Sequence, residues 1–134
     1  MANVLFVCLH NAGRSQISRA LFEQTADQRH AARSAGTQPA ERVHPEVLAV
    51  MDEIGLDLRD QTPTRLTPEL GEWADTVVTM GCGDECPYLP GTRYLDWDLP
   101  DPKGQSLEQV RAIRDEIARR VRELLAQLDA PTPA

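Results

Sequence analysis

Apolar residues along this chain fall into two rhythms, short unbroken runs and longer stretches where they return every three or four positions. Residues 3–8, Asn-Val-Leu-Phe-Val-Cys, are the first unbroken run, the pattern of a strand buried on both faces. After a polar loop, Ser15 to about Thr25 carries Ile17, Ala20 and Leu21 at helical spacing. Ala31 to Ala35 reads as a second short strand, ended by Gly36. His44-Pro45-Glu46 reads as a helix start, because proline at the first helical position lacks only an N–H that has no partner there. Val47, Val50, Met51 and Ile54 supply that helix's apolar stripe, and Gly55 its stop. Thr67-Pro68-Glu69 repeats the start signal for a short helix through Trp73. Thr76 to Met80 is a β-branched run expected as a third buried strand, and Arg93 to Trp97 is a weaker fourth. The strongest periodicity comes last. Ser106 and Gln109 have capping-box spacing, and Leu107, Val110, Ile113, Ile117, Val121, Leu124 and Leu128 then fall three or four residues apart.

Short buried strands alternating with helices predict an α/β fold, a single-domain four-stranded parallel sheet with helices on both faces. The domain is expected to span residues 1–129, with 130–134 as a disordered tail rich in proline. Such sheets bind ligands beyond the carboxyl ends of their strands, and Cys8 stands at the carboxyl end of the first. Charge then narrows the chemistry. The 134 residues carry a formal net charge of -7, a field that repels nucleic acid and anionic membranes, so neither is an expected partner. An anion that binds here needs a local device to hold it. No stretch approaches the ~20 apolar residues of a membrane span. The N-terminal Met-Ala-Asn-Val-Leu-Phe lacks the positive leader of a signal peptide. Three cysteines cannot form a fully paired static framework, and reduced thiols in the cytoplasm are the expectation.

The local device is the loop Cys8-Leu9-His10-Asn11-Ala12-Gly13-Arg14-Ser15, which follows a buried strand and opens a helix. A loop wrapped around a tetrahedral oxyanion points its backbone N–H groups inward, and the helix behind it adds partial positive charge. Arg14 can grip two oxygens with its planar fork. The same field stabilises a thiolate, which makes Cys8 a nucleophile at neutral pH. Ser15 can donate to the sulfur, Gly13 permits backbone angles that other residues resist, and Asn11 tolerates left-handed geometry and can brace the loop. A bare Cys-x5-Arg spacing occurs often by chance. Its seat between strand and helix, with Asn11 and Ser15 in place, makes it specific.

Cys8-x-x-Asn11-x-x-Arg14-Ser15 after a first strand resembles the signature of the low-molecular-weight protein tyrosine phosphatases and of the arsenate reductases that share their fold. The resemblance runs over essentially the whole chain, including the turn at Ser34-Ala35-Gly36. It implies a low-molecular-weight phosphatase-like fold and a general acid in a late Asp-Pro pair, which Asp101-Pro102 matches. Without the resemblance, Asp101-Pro102 would read as an ordinary turn.

Both activities begin with thiolate attack on a tetrahedral oxyanion, and they part at the next step. A phosphatase needs one cysteine, whereas a reductase must pass two electrons to arsenic and needs further thiols. Cys82 and Cys86 lie just after the third predicted strand, whose carboxyl end faces the same side of the sheet as Cys8. The resemblance to the three-cysteine, thioredoxin-coupled arsenate reductases implies a relay. Cys82 attacks the sulfur of Cys8, and Cys86 then takes the disulfide to the surface for an external thioredoxin-like reductant. Gly81 and Gly83 suit a segment that must move. Only three residues separate Cys82 from Cys86, fewer than in the family's familiar three-cysteine members. Recycling by mycothiol with mycoredoxin, which needs Cys8 alone, is the competing route. No bound cofactor is expected, arsenate is the expected substrate, and phosphate is a competing oxyanion.

Three other readings are weaker. A phosphotyrosine phosphatase usually follows its acid with tyrosines, but Lys103-Gly104 follow Asp101-Pro102, and aromatic residues are 4% of the chain. A zinc site on Cys82-x3-Cys86 with His10 or His44 lacks a second pair at ligand spacing. An oxyanion sensor without turnover has no need for a proton donor at Asp101. Some relatives hold potassium with a glutamate in the first helix, and Arg19 occupies that position here, so no metal is expected. His30 and His44 read as surface residues.

Overall fold

The computed structural model describes residues 1–81 and 92–130. Within them the chain runs β1 (Asn3–Cys8), α1 (Arg14–Ala26), β2 (Ala31–Gly36), α2 (Pro45–Asp52), α3 (Pro68–Trp73), β3 (Thr76–Thr79), β4 (Arg93–Asp96) and α4 (Leu107–Asp129). The strands pair in parallel in the order β2-β1-β3-β4. The apolar runs dictate that order: β1 is hydrogen-bonded on both sides, and Val4 to Val7 are fully buried.

Alternation along β1 divides the core. Val4, Phe6 and Cys8 face one layer, packed against α1, α2 and α4 through Ile17, Phe22, Val47, Met51, Ile117 and Val121. Leu5 and Val7 face the other with Ala35 and Val77, covered by Leu66, Leu70 and Trp73 from α3 and the connection before it. Each fully buried side chain of this size contributes roughly 1.5–3 kcal/mol relative to exposure. Helices thus cover both faces of a four-stranded parallel sheet in one domain, as the alternation of patterns predicts.

Capping follows the sequence closely. The Ser106 hydroxyl accepts from the Gln109 N–H, and the Gln109 side chain accepts from the Ser106 N–H, both at 3.2 Å. Thr67 caps α3 through the Leu70 N–H. Two stripe positions depart from expectation. Ile54 is 38% exposed and Leu107 43% exposed, because α2 stops at Asp52 and Leu107 opens α4 a turn ahead of its packed stripe. Leu125, outside the predicted stripe, is buried beside Leu124. His30 is also a correction, since its side chain is only 8% exposed. Its Nδ1 accepts from the Ala2 N–H at 3.0 Å, which leaves the proton on Nε2 to be donated to Asp129 at 2.7 Å. His30 therefore ties the start of β1 to the end of α4. Among the described residues, no helix is long and apolar enough to cross a membrane.

Candidate active site

The loop from Cys8 to Ser15 lies at the carboxyl edge of the sheet, where β1 ends and α1 begins. Its carbonyls are turned outward. Those of Cys8, Leu9, His10 and Ala12 accept from the N–H groups of Thr37, Gln38, Ala40 and His44, at 2.8–3.3 Å. Among the described residues no protein acceptor takes the N–H groups of Leu9 to Ser15. A run of unpaired amides at a helix start is a ready anion cradle, since an anion supplies the acceptors that the fold does not.

Beneath the cradle lies a buried polar chain. The Cys8 sulfur is 2.9 Å from the Ser15 hydroxyl, and Cys8 is 2% exposed. The Asn11 Nδ2 donates to the same hydroxyl at 2.7 Å. The Asn11 Oδ1 accepts from the Thr64 backbone N–H at 2.8 Å and from the Gln16 Nε2 at 3.2 Å. Asn11 has a φ of +49°, the left-handed geometry that asparagine tolerates better than most residues. The expected bracing role of Asn11 has a concrete form in these bonds.

Gly13, the N-cap of α1, has φ -143° and ψ -94°, a pair outside the regions open to residues with a Cβ, and space restricts the position as well. A Cβ here lies 2.6 Å from the Pro102 Cγ, which leaves no room for one without moving a proline ring. The oxyanion loop and the Asp101-Pro102 turn therefore touch at Gly13.

Arg14 reaches across the site. Its Nη1 donates to the Leu99 carbonyl at 3.1 Å, and its Nη2 is 3.8 Å from the Asp101 Oδ2. The guanidinium also packs directly against Gly81, which follows the bond from the Met80 N–H to the Val7 carbonyl. Asp101 is 41% exposed at its side chain, and its Oδ1 accepts from the Lys103 N–H at 3.0 Å. His10 donates through Nδ1 to the Gln38 carbonyl at 3.0 Å, leaving Nε2 free of that bond at the rim. Cys8, Arg14 and Asp101 are thus gathered at one edge with the loop residues Leu9 to Ser15. Cys82 and Cys86, immediately beyond Gly81 in sequence, lie outside the described residues.

Several neighbours carry no strong sequence signal. His44, read as a surface residue, caps α2 against the loop through its N–H on Ala12, and its ring flanks Gly13. Burial pushes its imidazole below the ordinary range, while Glu46 and Asp101 pull upward and His10 and Lys103 downward. The Glu46 carboxylate accepts from the Gly104 N–H at 3.1 Å. The start of α2 therefore holds the oxyanion loop on one side and the Asp101 turn on the other. Gln16 and Thr64 set Asn11. Only the polar character of Gln16 and Ser18 on either side of Ile17 hinted that the first turn of α1 is buried for more than packing. Arg19 pairs with Glu23 at 2.9 Å.

Residues 3–133 match the low molecular weight phosphotyrosine protein phosphatase family. The glutaredoxin arsenate reductase of Synechocystis sp. is 34% identical over 131 residues, covering 96% of this chain and 99% of that protein. The thioredoxin-dependent arsenate reductase of Corynebacterium glutamicum has a solved structure that is 44% identical, with a TM-score of 0.84. That match covers 97% of this chain and 64% of the other, so this chain spans just under two thirds of its length. The solved structure of an arsenate reductase in the phosphate binding state gives a TM-score of 0.85 at 32% identity, covering 96% of this chain and 100% of that one.

Proposed function

The chain belongs to the low molecular weight phosphotyrosine protein phosphatase family, and from that premise we propose that it is an arsenate reductase working with an external dithiol in the cytoplasm. The observation that carries the chemistry is the oxyanion cradle. Unpaired amides from Leu9 to Ser15 lie above a cysteine whose sulfur touches a hydroxyl that is itself held by Asn11. The relatives named as arsenate reductases favour arsenic over a phosphate ester.

In the proposed reaction the loop amides and Arg14 hold arsenate, and the Cys8 thiolate attacks arsenic. Asp101 gives its proton to the departing oxygen, so water leaves and a Cys8–arsenic bond forms. Cys82 then attacks the Cys8 sulfur. The sulfur–arsenic bond breaks with its electron pair going to arsenic, which leaves as arsenite, and a Cys8–Cys82 disulfide forms. Attack of Cys86 on Cys82 releases the Cys8 thiolate and leaves a Cys82–Cys86 disulfide, which the external dithiol reduces. The short spacing of Cys82 and Cys86 makes this last exchange the step most worth testing. The name of the Corynebacterium relative favours thioredoxin as the dithiol, that of the Synechocystis relative a glutaredoxin. Recycling by mycothiol with mycoredoxin needs Cys8 alone.

The test is arsenate-dependent NADPH oxidation with thioredoxin and its reductase, beside glutaredoxin and mycothiol–mycoredoxin arms. We expect turnover with thioredoxin, none in Cys8→Ser, and none in Cys82→Ser. Slow hydrolysis of p-nitrophenyl phosphate by Cys82→Ser is expected to persist, because it needs only the first step. Fast cleavage of a phosphotyrosine substrate with no arsenate turnover in any arm overturns the reductase reading in favour of a phosphatase.

A further inference from the structure

We propose that Gln16 is a positioning residue for Cys8, because it fixes the direction of the hydrogen-bond chain that ends on the sulfur. The proposal rests on Cys8 being the nucleophile, and it adds what makes that nucleophile ready.

The contact between Cys8 and Ser15, at 2.9 Å, has no direction of its own. Either the hydroxyl donates to sulfur, which favours a thiolate, or the thiol donates to the hydroxyl, which favours a neutral sulfur. Asn11 decides between them. With its Nδ2 on the Ser15 oxygen at 2.7 Å, the hydroxyl already accepts a bond, and its single proton is free for the sulfur. If the Asn11 amide turned over, its oxygen would face Ser15 and draw that proton away, leaving Cys8 as the donor. The state of the sulfur therefore follows the orientation of one amide.

Two donors hold that amide, the Thr64 backbone N–H at 2.8 Å and the Gln16 Nε2 at 3.2 Å, both on Oδ1. Gln16 has its own anchor. The same Nε2 donates to the Asn11 backbone carbonyl at 3.1 Å, and a carbonyl can only accept, so the Gln16 amide cannot reverse without losing both bonds. A fixed direction thus runs from the Asn11 carbonyl through Gln16, Asn11 and Ser15 to the sulfur. The bond to the carbonyl also steadies Asn11 in its left-handed conformation.

Packing alone does not account for a glutamine at this position. Gln16 is 1% exposed, and its Oε1 has no hydrogen-bond partner among the described residues. A buried amide with an unmade bond is less stable than a methionine of similar size, because burying a polar group without its partner is unfavourable. A residue kept for stability would be apolar here. The donated bonds are what glutamine supplies and methionine cannot.

The experiment follows alkylation of Cys8 by iodoacetamide as a function of pH in the full chain. The Cys8 peptide is read by mass spectrometry in the parent, Gln16→Met and Gln16→Glu, with thermal unfolding beside it. In Gln16→Met the alkylation profile should move to higher pH, because the Thr64 N–H alone then holds the Asn11 amide, while the melting temperature stays the same or rises. In Gln16→Glu, whose carboxylate offers only acceptors to Asn11, alkylation at neutral pH should be slower than in either. A folded Gln16→Met with the parent midpoint makes Gln16 a packing residue and overturns the proposal. If Gln16→Met does not fold, a parent-like midpoint in Gln16→Glu overturns it equally. A parent whose Cys8 alkylates no faster than a free thiol, and which does not turn over arsenate, removes the Cys8 reading itself.

Discussion

The two loops that meet at Gly13 are held in opposite ways. From Asn11 to Ser18 every residue is buried, and the loop is cross-linked by bonds that the helix start and the adjoining segment 37–44 supply. The turn from Asp101 to Gln105 is mostly exposed. It is held by its own Asx bond to Lys103, by the Gln105 N–H on the Pro102 carbonyl, and by one distant carboxylate, Glu46. In the proposed reaction the difference follows from what each loop does. A cradle for a tetrahedral anion works through dipoles that are already aligned and cannot relax, which requires burial and redundant bonds. A proton donor must exchange its proton with water each cycle, so its carboxyl stays wet and its loop depends on longer reach.

The comparison breaks most sharply at Asp101. Asp101→Asn keeps the acceptor for the Lys103 N–H but removes the proton, so kcat for arsenate and for p-nitrophenyl phosphate should fall about 10²–10⁴-fold. Inhibition by phosphate should change little, because the cradle is untouched. Loss of phosphate binding together with kcat would mean that the two loops are one unit after all. Steady-state kinetics with phosphate as inhibitor separates these outcomes.

A smaller and more pointed effect is expected from Gly13→Ala. The new methyl meets the Pro102 ring at 2.6 Å, and a ring cannot fold away as a flexible chain end would. Pro102 must retreat and take Asp101 with it. A displacement on the order of 1 Å can cost about 10²-fold in rate, so kcat should drop by up to that much while Cys8 alkylation remains near the parent rate. The loss should be larger for phenyl phosphate than for p-nitrophenyl phosphate, since a poorer leaving group depends more on the acid. An equal loss for both substrates, or a matching loss of Cys8 alkylation, would place the damage in the cradle.

What could be read in advance follows the same division. The strands at Asn3–Cys8 and Thr76–Thr79, the caps at Thr67 and Ser106, and the loop of Cys8, Asn11, Arg14 and Ser15 depend on neighbours in sequence, and local pattern carries them. Asp101 is legible only through resemblance, because an Asp-Pro pair by itself is a turn. Glu46, which holds Gly104 from 58 positions away, and the Leu99 carbonyl that receives Arg14 leave no periodic trace. A backbone acceptor has no residue type to recognise, and a glutamate at a helix start is common. Ile54 and Leu107 fit their helical stripes by spacing but lie beyond the end of one packed face and ahead of the other. His44 escaped because proline after it signals a helix start and says nothing about what the cap will touch.

His44 sits between the two loops and gives the smallest effect, one of stability rather than rate. Burial lowers its imidazole below the ordinary value of 6.5, against the upward pull of Glu46 and Asp101 and with the help of His10 and Lys103. The folded protein therefore releases this proton at a lower pH than the unfolded chain does. Between the two values the unfolded chain binds more protons, so stability rises with pH through that window and levels off above 6.5. Acidification below 6.5 works against the fold at this position, the reverse of a histidine that gains an ion-pair partner. His44→Asn keeps a polar residue at the start of α2 but removes the titration. The loss of melting temperature between pH 7 and pH 5 should then be smaller in His44→Asn than in the parent, by no more than the linkage of one proton. Parallel melting curves for the two proteins across that range would show that His44 is held by contacts indifferent to its charge, and the junction at Gly13 would then be purely steric.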